Sequence, residues 1–437
     1  MAEDTYTIFT GNIIHCEKLF SIETLENGFI IVKGSKIVAI DQLERLEETK
    51  KNLEISKWQT VTLKDTQLLI PGLIDTHIHA PQYPNAGLGY DLPLLDWLQK
   101  YTYNLEAKYS DLDFSKKVYD AIVRKTLGYG TTTACYFGSL FRKSCMVLVD
   151  SVLQHGQRAL VGKINMTRLA PENYLETPEE SITETETFIN DVLDKKSRLV
   201  KPIITPRFAL SVELDLMKKL AVLASKYNCH IQTHISENCD EVCTVKKMFV
   251  CNEYADVYHE ANLLTNQTIL AHGIHLTDDE LKLLSKKGSS IAHCPSSNSR
   301  LQSGLCDVRR LIEYDVSVGL GTDVSGGHSP SIIEAMRSAV DTSIHLSYGK
   351  PDYKHINCYD AFCLATLGGA KALSLDDQVG NFKVGKDFDA LIIDMDVENG
   401  AVDLLQSCNA SELLQKFVYL GDDRNVVSVY VAGNKVK

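Results

Sequence analysis

No stretch of this sequence approaches the roughly 20 consecutive apolar residues that cross a bilayer, so no α-helical membrane span is expected. Nor does the chain open like a secretory signal, because MAEDTYTIFTGNII is acidic and lacks both a basic start and an apolar core. Positive charge is scarce: 45 Lys and Arg face 57 Asp and Glu. A net charge of −12 argues against the basic surface that non-specific nucleic-acid binding requires. Paired cysteine spacing is missing as well. The 12 cysteines are scattered, and the nearest cluster, Cys239, Cys243 and Cys251, falls in a charged, helix-like stretch. Free, reduced thiols in a cytoplasmic protein are therefore expected rather than a disulfide framework or a zinc knot. Repeats, low-complexity tracts and long linkers are also absent. What remains has the composition of a soluble globular protein, 44% hydrophobic and 23% charged over 437 residues, long enough to bury a large core.

Two kinds of pattern divide the chain. Short β segments occupy the start, at 7–10, 28–32 and 36–40, with Asn27-Gly28 and Lys33-Gly34 supplying turn chemistry. Further β segments fill the end, at 389–394 and 426–431. Residues 1–67 plus 380–437 are therefore expected to form one small β-sandwich built from both chain ends. Between them, apolar strands alternate with amphipathic helices, the pattern of a parallel sheet. Strands are predicted at 68–74, 131–137, 159–165, 202–210, 229–234, 268–272, 289–293 and 316–321. Eight strands suffice to close a (β/α)₈ barrel over 68–379, and such a barrel carries its site at the C-terminal strand ends.

Those strand ends carry the chemistry. His77 and His79, two residues apart in PGLIDTHIHAPQ, point the same way if they follow the first strand. Strand five ends in His234 with Glu237 just beyond, strand six in His272, strand seven in His293 and strand eight in Asp323. Any one histidine is equally well explained by a hydrogen bond at a sheet edge. Agreement among several strand ends is harder to explain that way. His77, His79, His234 and Asp323 make a three-nitrogen, one-oxygen set suited to a borderline metal such as zinc, with iron also accepted. A metal site with an open position lowers a water's pKa to about 7. Glu237 is placed to move that water's proton, although it also reads as the first turn of a helix capped by Ser236. His272 and Asp323 are candidates for polarising the water and the tetrahedral centre.

PGLIDTHIHAPQ, THISE, AHGIHL, HCPSSN and GLGTDVSGG, in this order, resemble the metal-dependent amidohydrolase superfamily. The likeness runs over nearly the whole chain, from GNIIHC to LGGAKALSLDDQVGNFKVGKDFDALIID, and HAPQYPNAG and PRFALS narrow it to the branch that deaminates guanine. The resemblance implies hydrolysis of guanine to xanthine and ammonia in purine catabolism, with one zinc ion per subunit. It implies His77, His79, His234 and Asp323 as ligands, and Glu237, His272 and Asp323 as catalytic groups. Gln82, Arg207 and Phe208 are implied as the purine contacts, together with His234, Glu237 and Asp323. It also implies a homodimer.

One departure bears on metal number. Two-metal relatives carry a bridging lysine at the end of strand four, whereas here Lys201 stands at the beginning and the strand runs out to Arg207. A single metal is expected. The cytidine-deaminase pattern, His-x-Glu with Pro-Cys-x-x-Cys, is absent. A reduced pterin offers the same 2-amino-4-oxo edge as guanine and is the rival substrate. A metal-free barrel acting as a scaffold is the rival of another class.

Overall fold

The computed structural model describes residues 5–437, which form two sheets and the helices around them. The parallel sheet comprises β1 (Leu73–His79), β2 (Thr131–Phe137), β3 (Arg158–Gly162), β4 (Val200–Pro206), β5 (His230–Ile235), β6 (Thr268–His272), β7 (Ser290–His293) and β8 (Val318–Leu320). Each strand pairs in parallel with the next. The ring closes between β8 and β1, where Asp323 N donates to His77 O at 2.9 Å and His79 N to Val324 O at 3.1 Å. This is the expected (β/α)₈ barrel.

The barrel strands are buried almost throughout because helices cover their outer faces and side chains fill the inside. Local chemistry starts and stops those helices. Asp111 accepts from the N–H groups of Asp113 and Phe114 to open Leu112–Gly128, whose Val118, Ile122 and Val123 turn inward. Thr177 and Glu180 form a capping box ahead of Pro178–Asp194. Arg142–His155 ends at Gly156, with φ 71. Among the described residues no helix is long and apolar enough to cross a membrane.

The first predicted strand, 68–74, is two strands in different sheets. Gln67–Pro71 pairs antiparallel with Ala390–Asp394 and touches Tyr6–Lys18 at Ile13–Leu69. At Gly72 the chain crosses to the barrel, passing so near β2 that an added Cβ would lie 2.0 Å from Thr132 Oγ1. β1 begins only at Leu73, so His77 and His79 belong to the strand itself rather than to a loop after it. An unbroken apolar run carries no mark of which sheet each half joins. β4 likewise ends at Pro206, short of the expected 210, and a helical turn follows at Ala209–Ser211.

The other sheet gathers strands from both chain ends, including Tyr6–Lys18, Ser21–Lys33, Ala390–Asp394 and Val426–Val431. Its core centres on Phe9, Phe388 and Tyr430, with Phe9 ring centroids 4.6 Å from Phe388 and 5.2 Å from Tyr430. The thiols depart from expectation at one place, where Cys16 of this sheet is bonded to Cys363 of the barrel's last helices. The two are separated by 347 positions, so no local spacing could announce them. Cys239, Cys243 and Cys251 are free, as expected.

Candidate active site

His77 and His79 sit at positions i and i+2 of β1, which sends both imidazoles to the inner face. His234, near the end of β5, and Asp323, just after β8, meet them there, with one ligand atom from each within 4.8 Å of the others. Asp323 Oδ1 lies 3.1 Å from His77 Nε2 and 3.5 Å from His79 Nε2. His79 and His234 bring their Nε2 atoms within 3.1 Å of each other. The Nδ1–H of His234 donates to the Arg207 carbonyl at 2.6 Å, so its Nε2 is left bare. Burial holds the pKa of both imidazoles well below the ordinary value, keeping them neutral. No partner of His79 Nδ1 fixes the tautomer of that ring, so its Nε2 can donate to the bare Nε2 of His234 or share a cation with it. Burial would raise the Asp323 carboxyl, but the imidazoles facing it, His77 above all, pull it below the usual range. An anionic carboxylate and converging neutral imidazoles fit a divalent metal.

A second group shares Asp323. Glu237 Oε2 lies 3.3 Å from His272 Nε2, which is 3.8 Å from Asp323 Oδ2. Glu237 is 5% exposed, and burial, reinforced by Asp323 and Glu241, raises its pKa well above the ordinary carboxyl value. Such a group can hold a proton near neutrality and release it. His272 pairs its Nδ1 with Asn298 Oδ1 at 2.8 Å, and burial lowers its pKa to about 4. It is therefore neutral with Nε2 bare. His272 and Asp323 hold φ values of 77° and 47°, the strained backbone that clusters at functional sites. Ser236 does not cap the following helix. Cys239–Phe249 is capped by Asn238 in a capping box with Glu241, while Ser236 occupies a left-handed turn at φ 48° that takes the chain out of β5. His293 is buried at the end of β7, its pKa lowered by burial to about 3, outside both metal-capable groups.

The purine contacts implied by resemblance converge on the same place. Gln82, Arg207 and Phe208 line one cavity together with His79, His234, Glu237, His272 and Asp323. Trp97 and Leu301 supply apolar wall. Arg207 follows β4 directly and is 3% exposed, so its ion pair is buried and not the surface pair its residue type alone suggests. Burial acts against its charge, but Glu106 outweighs that effect and raises its pKa. Lys201 lies near the start of β4, at the opposite end from Arg207. Two residues escaped the sequence reading. Glu106, fully buried at the end of the short helix Tyr103–Glu106, bonds both Arg207 and Gln82. Asn298 orients His272. Asn298 lay within HCPSSN and was findable there, whereas Glu106 stands in no motif.

The amidohydrolase family pattern matches residues 68–436. The guanine deaminase of Rattus norvegicus is 44% identical, over 98% of this chain and 96% of its own. That of Dictyostelium discoideum is 42% identical over 98% of each. Among solved structures, the guanine deaminase from C. acetobutylicum with bound guanine in the active site superposes with a TM-score of 0.91 at 35% identity, covering 99% of this chain and 100% of that one.

Proposed function

The chain belongs to the amidohydrolase family, and from that premise we propose that it hydrolyses the exocyclic C–N bond of guanine, giving xanthine and ammonia. The observation that carries this reading is one cavity lined both by the groups able to bind a metal and move a proton and by the buried donors Arg207 and Gln82. The guanine deaminases of rat and Dictyostelium align with it over nearly their full length.

A divalent cation held by His77, His79, His234 and Asp323, proposed as one zinc per subunit, supplies Lewis-acid activation of a water at neutral pH. The protein's own groups do the rest. Arg207 and Gln82 offer N–H donors to the carbonyl oxygen of guanine, where a planar guanidinium gives a directed contact. Phe208 packs along the cavity wall beside the ring. Glu237 takes a proton from the attacking water and delivers it to the ring nitrogen next to the reacting carbon. His272, neutral with Nε2 bare, accepts a hydrogen bond from that water. Asp323 and His272 then hold the new hydroxyl of the tetrahedral centre. Its proton passes through Glu237 or Asp323 to the departing amine, which leaves as ammonia. A homodimer is proposed from the family resemblance, and a cytoplasmic location from the scattered cysteine spacing.

Ammonia release across amino-substituted purines, pyrimidines and pterins tests the reading. Guanine should give the highest kcat/KM, and a dihydropterin that exceeded it would overturn the assignment of substrate. Metal analysis of gently purified protein should find about one zinc per chain by the ligand count. Metal-free protein without activity would favour the scaffold reading. Chelated enzyme reloaded with zinc or iron shows which ion serves.

A further inference from the structure

Glu106 is fully buried, and its two carboxylate oxygens meet four donors. Oε1 accepts from Gln82 Nε2 at 2.8 Å and from Arg207 Nη2 at 3.3 Å. Oε2 accepts from Arg207 Nη1 at 2.6 Å and from the Tyr174 hydroxyl at 2.6 Å. A carboxylate has about four acceptor sites, so this one is saturated and has none left for a ligand. The side chains it binds still have free donors. Arg207 carries five N–H groups and uses two on Glu106. Gln82 donates one N–H to Glu106 while its Oε1 accepts from Ser325 N at 3.2 Å. That pair of bonds sets which way the amide faces, and the donor Gln82 can still offer is its second N–H. The Tyr103 ring lies 5.2 Å from the Arg207 guanidinium carbon and supports it from one side.

We infer that Glu106 is the positioning residue for substrate recognition, holding Arg207 and Gln82 so that their remaining N–H groups serve the cavity they line. The inference rests on the guanine reading and deepens it. Donors so held accept a ring carbonyl and oppose an amino group at the same position, because N–H would then face N–H. Glu106 thereby sets selection of 6-oxo over 6-amino purines without touching the substrate. Replacing it with glutamine puts an amide N–H among the donors and leaves the Arg207 charge unpaired, so both recognition side chains lose their aim.

The test compares wild type, Glu106→Gln, Glu106→Asp, Arg207→Gln and the Glu106→Gln/Arg207→Gln double variant. Each is assayed on guanine and on 2,6-diaminopurine, the same ring with an amino group in place of the 6-oxo group, taken as substrate or as competitive inhibitor. For Glu106→Gln, kcat/KM on guanine should fall about a hundredfold, the scale of one buried polar group left unpaired. KM should rise more than kcat falls, and metal content should stay at the wild-type level. The preference for guanine over 2,6-diaminopurine should narrow about tenfold or more, and the double variant should be no worse than Arg207→Gln, the non-additivity of two groups acting as one. Equal losses on both rings, or additive losses in the double variant, would overturn the inference. If Glu106→Gln does not fold, Glu106→Asp keeps the charge and carries the same comparison of the two rings. The wild-type protein separates this inference from its premise: failure to release ammonia from guanine overturns the functional reading itself, whereas the variants speak only to Glu106.

Discussion

Glu237 shows how one side chain is made fit for proton transfer. Its backbone N–H donates to Glu241 Oε2 at 3.0 Å, and Glu241 in turn accepts from the Tyr254 hydroxyl at 2.7 Å. The turn is thus held from behind while the carboxyl faces His272 and Asp323. Burial among acidic neighbours raises its pKa, so a proton taken up as a base is held until it is delivered as an acid. Glu237→Gln keeps the shape and removes the proton shuttle. We expect kcat to fall by about 10² to 10⁴-fold with metal content unchanged, read by ammonia release beside metal analysis. Near-normal turnover in that variant would remove Glu237 from the mechanism. The residue scale is also where sequence reading met its limit. His77, His79, His234 and Asp323 belong to motifs whose spacing signals a site, but Glu106 is one glutamate among many until the fold brings Arg207 onto it.

The strands carry these residues because their inner faces are packed in register. Below the site, Gln232 of β5 donates to Thr205 Oγ1 of β4 at 2.9 Å and to the Tyr136 carbonyl of β2 at 3.0 Å. Its own Oε1 accepts from Cys135 Sγ at 3.1 Å. Gly162 ends β3 beside this layer, and a Cβ there would lie 1.8 Å from Thr205 Oγ1 and 2.8 Å from Gln232 Nε2. Room exists for hydrogen only. Gly162→Ala should therefore destabilise by about 1–3 kcal/mol, the usual cost of overpacking, seen as a lower urea midpoint. An unchanged midpoint would mean that Thr205 steps aside freely. Strand identity was legible from apolar runs between amphipathic helices, and the strand ends less so. Pro206 stops β4 early, and Gly72 divides one apolar run between two sheets, because hydrophobicity records burial and not the partner that provides it.

At the scale of the molecule, the barrel and the end-built sheet are tied through Arg158. It stands at the start of β3 and donates to Asp389 Oδ2 at 3.0 Å and to Asp387 Oδ2 at 2.9 Å, all three side chains being buried. Lys36 and Arg198 also reach Asp387, at 2.9 and 3.2 Å. Asp387 keeps those two partners when Arg158 is removed, but Asp389 is left buried without a cation, at a cost of about 3–5 kcal/mol. Arg158→Met should lower the thermal unfolding midpoint accordingly, while KM for guanine in the folded fraction stays near wild type. A shift of KM without loss of stability would contradict a purely architectural role.

Taken alone, the amino-acid order determined the alternation that makes a parallel barrel, the β character of both ends, and the candidate ligand set carried on ordered motifs. Each of these is written locally, in periodicity or in spacing along one strand and the turn after it. Tertiary structure decided the rest: the crossing at Gly72, the Cys16–Cys363 bond across 347 positions, and the placing of Glu106 under Arg207 and Gln82. These are contacts between segments remote in sequence. They exist because closing eight strands into a ring brings every strand end to one mouth, and no residue pattern along the chain states which distant side chain will be waiting there.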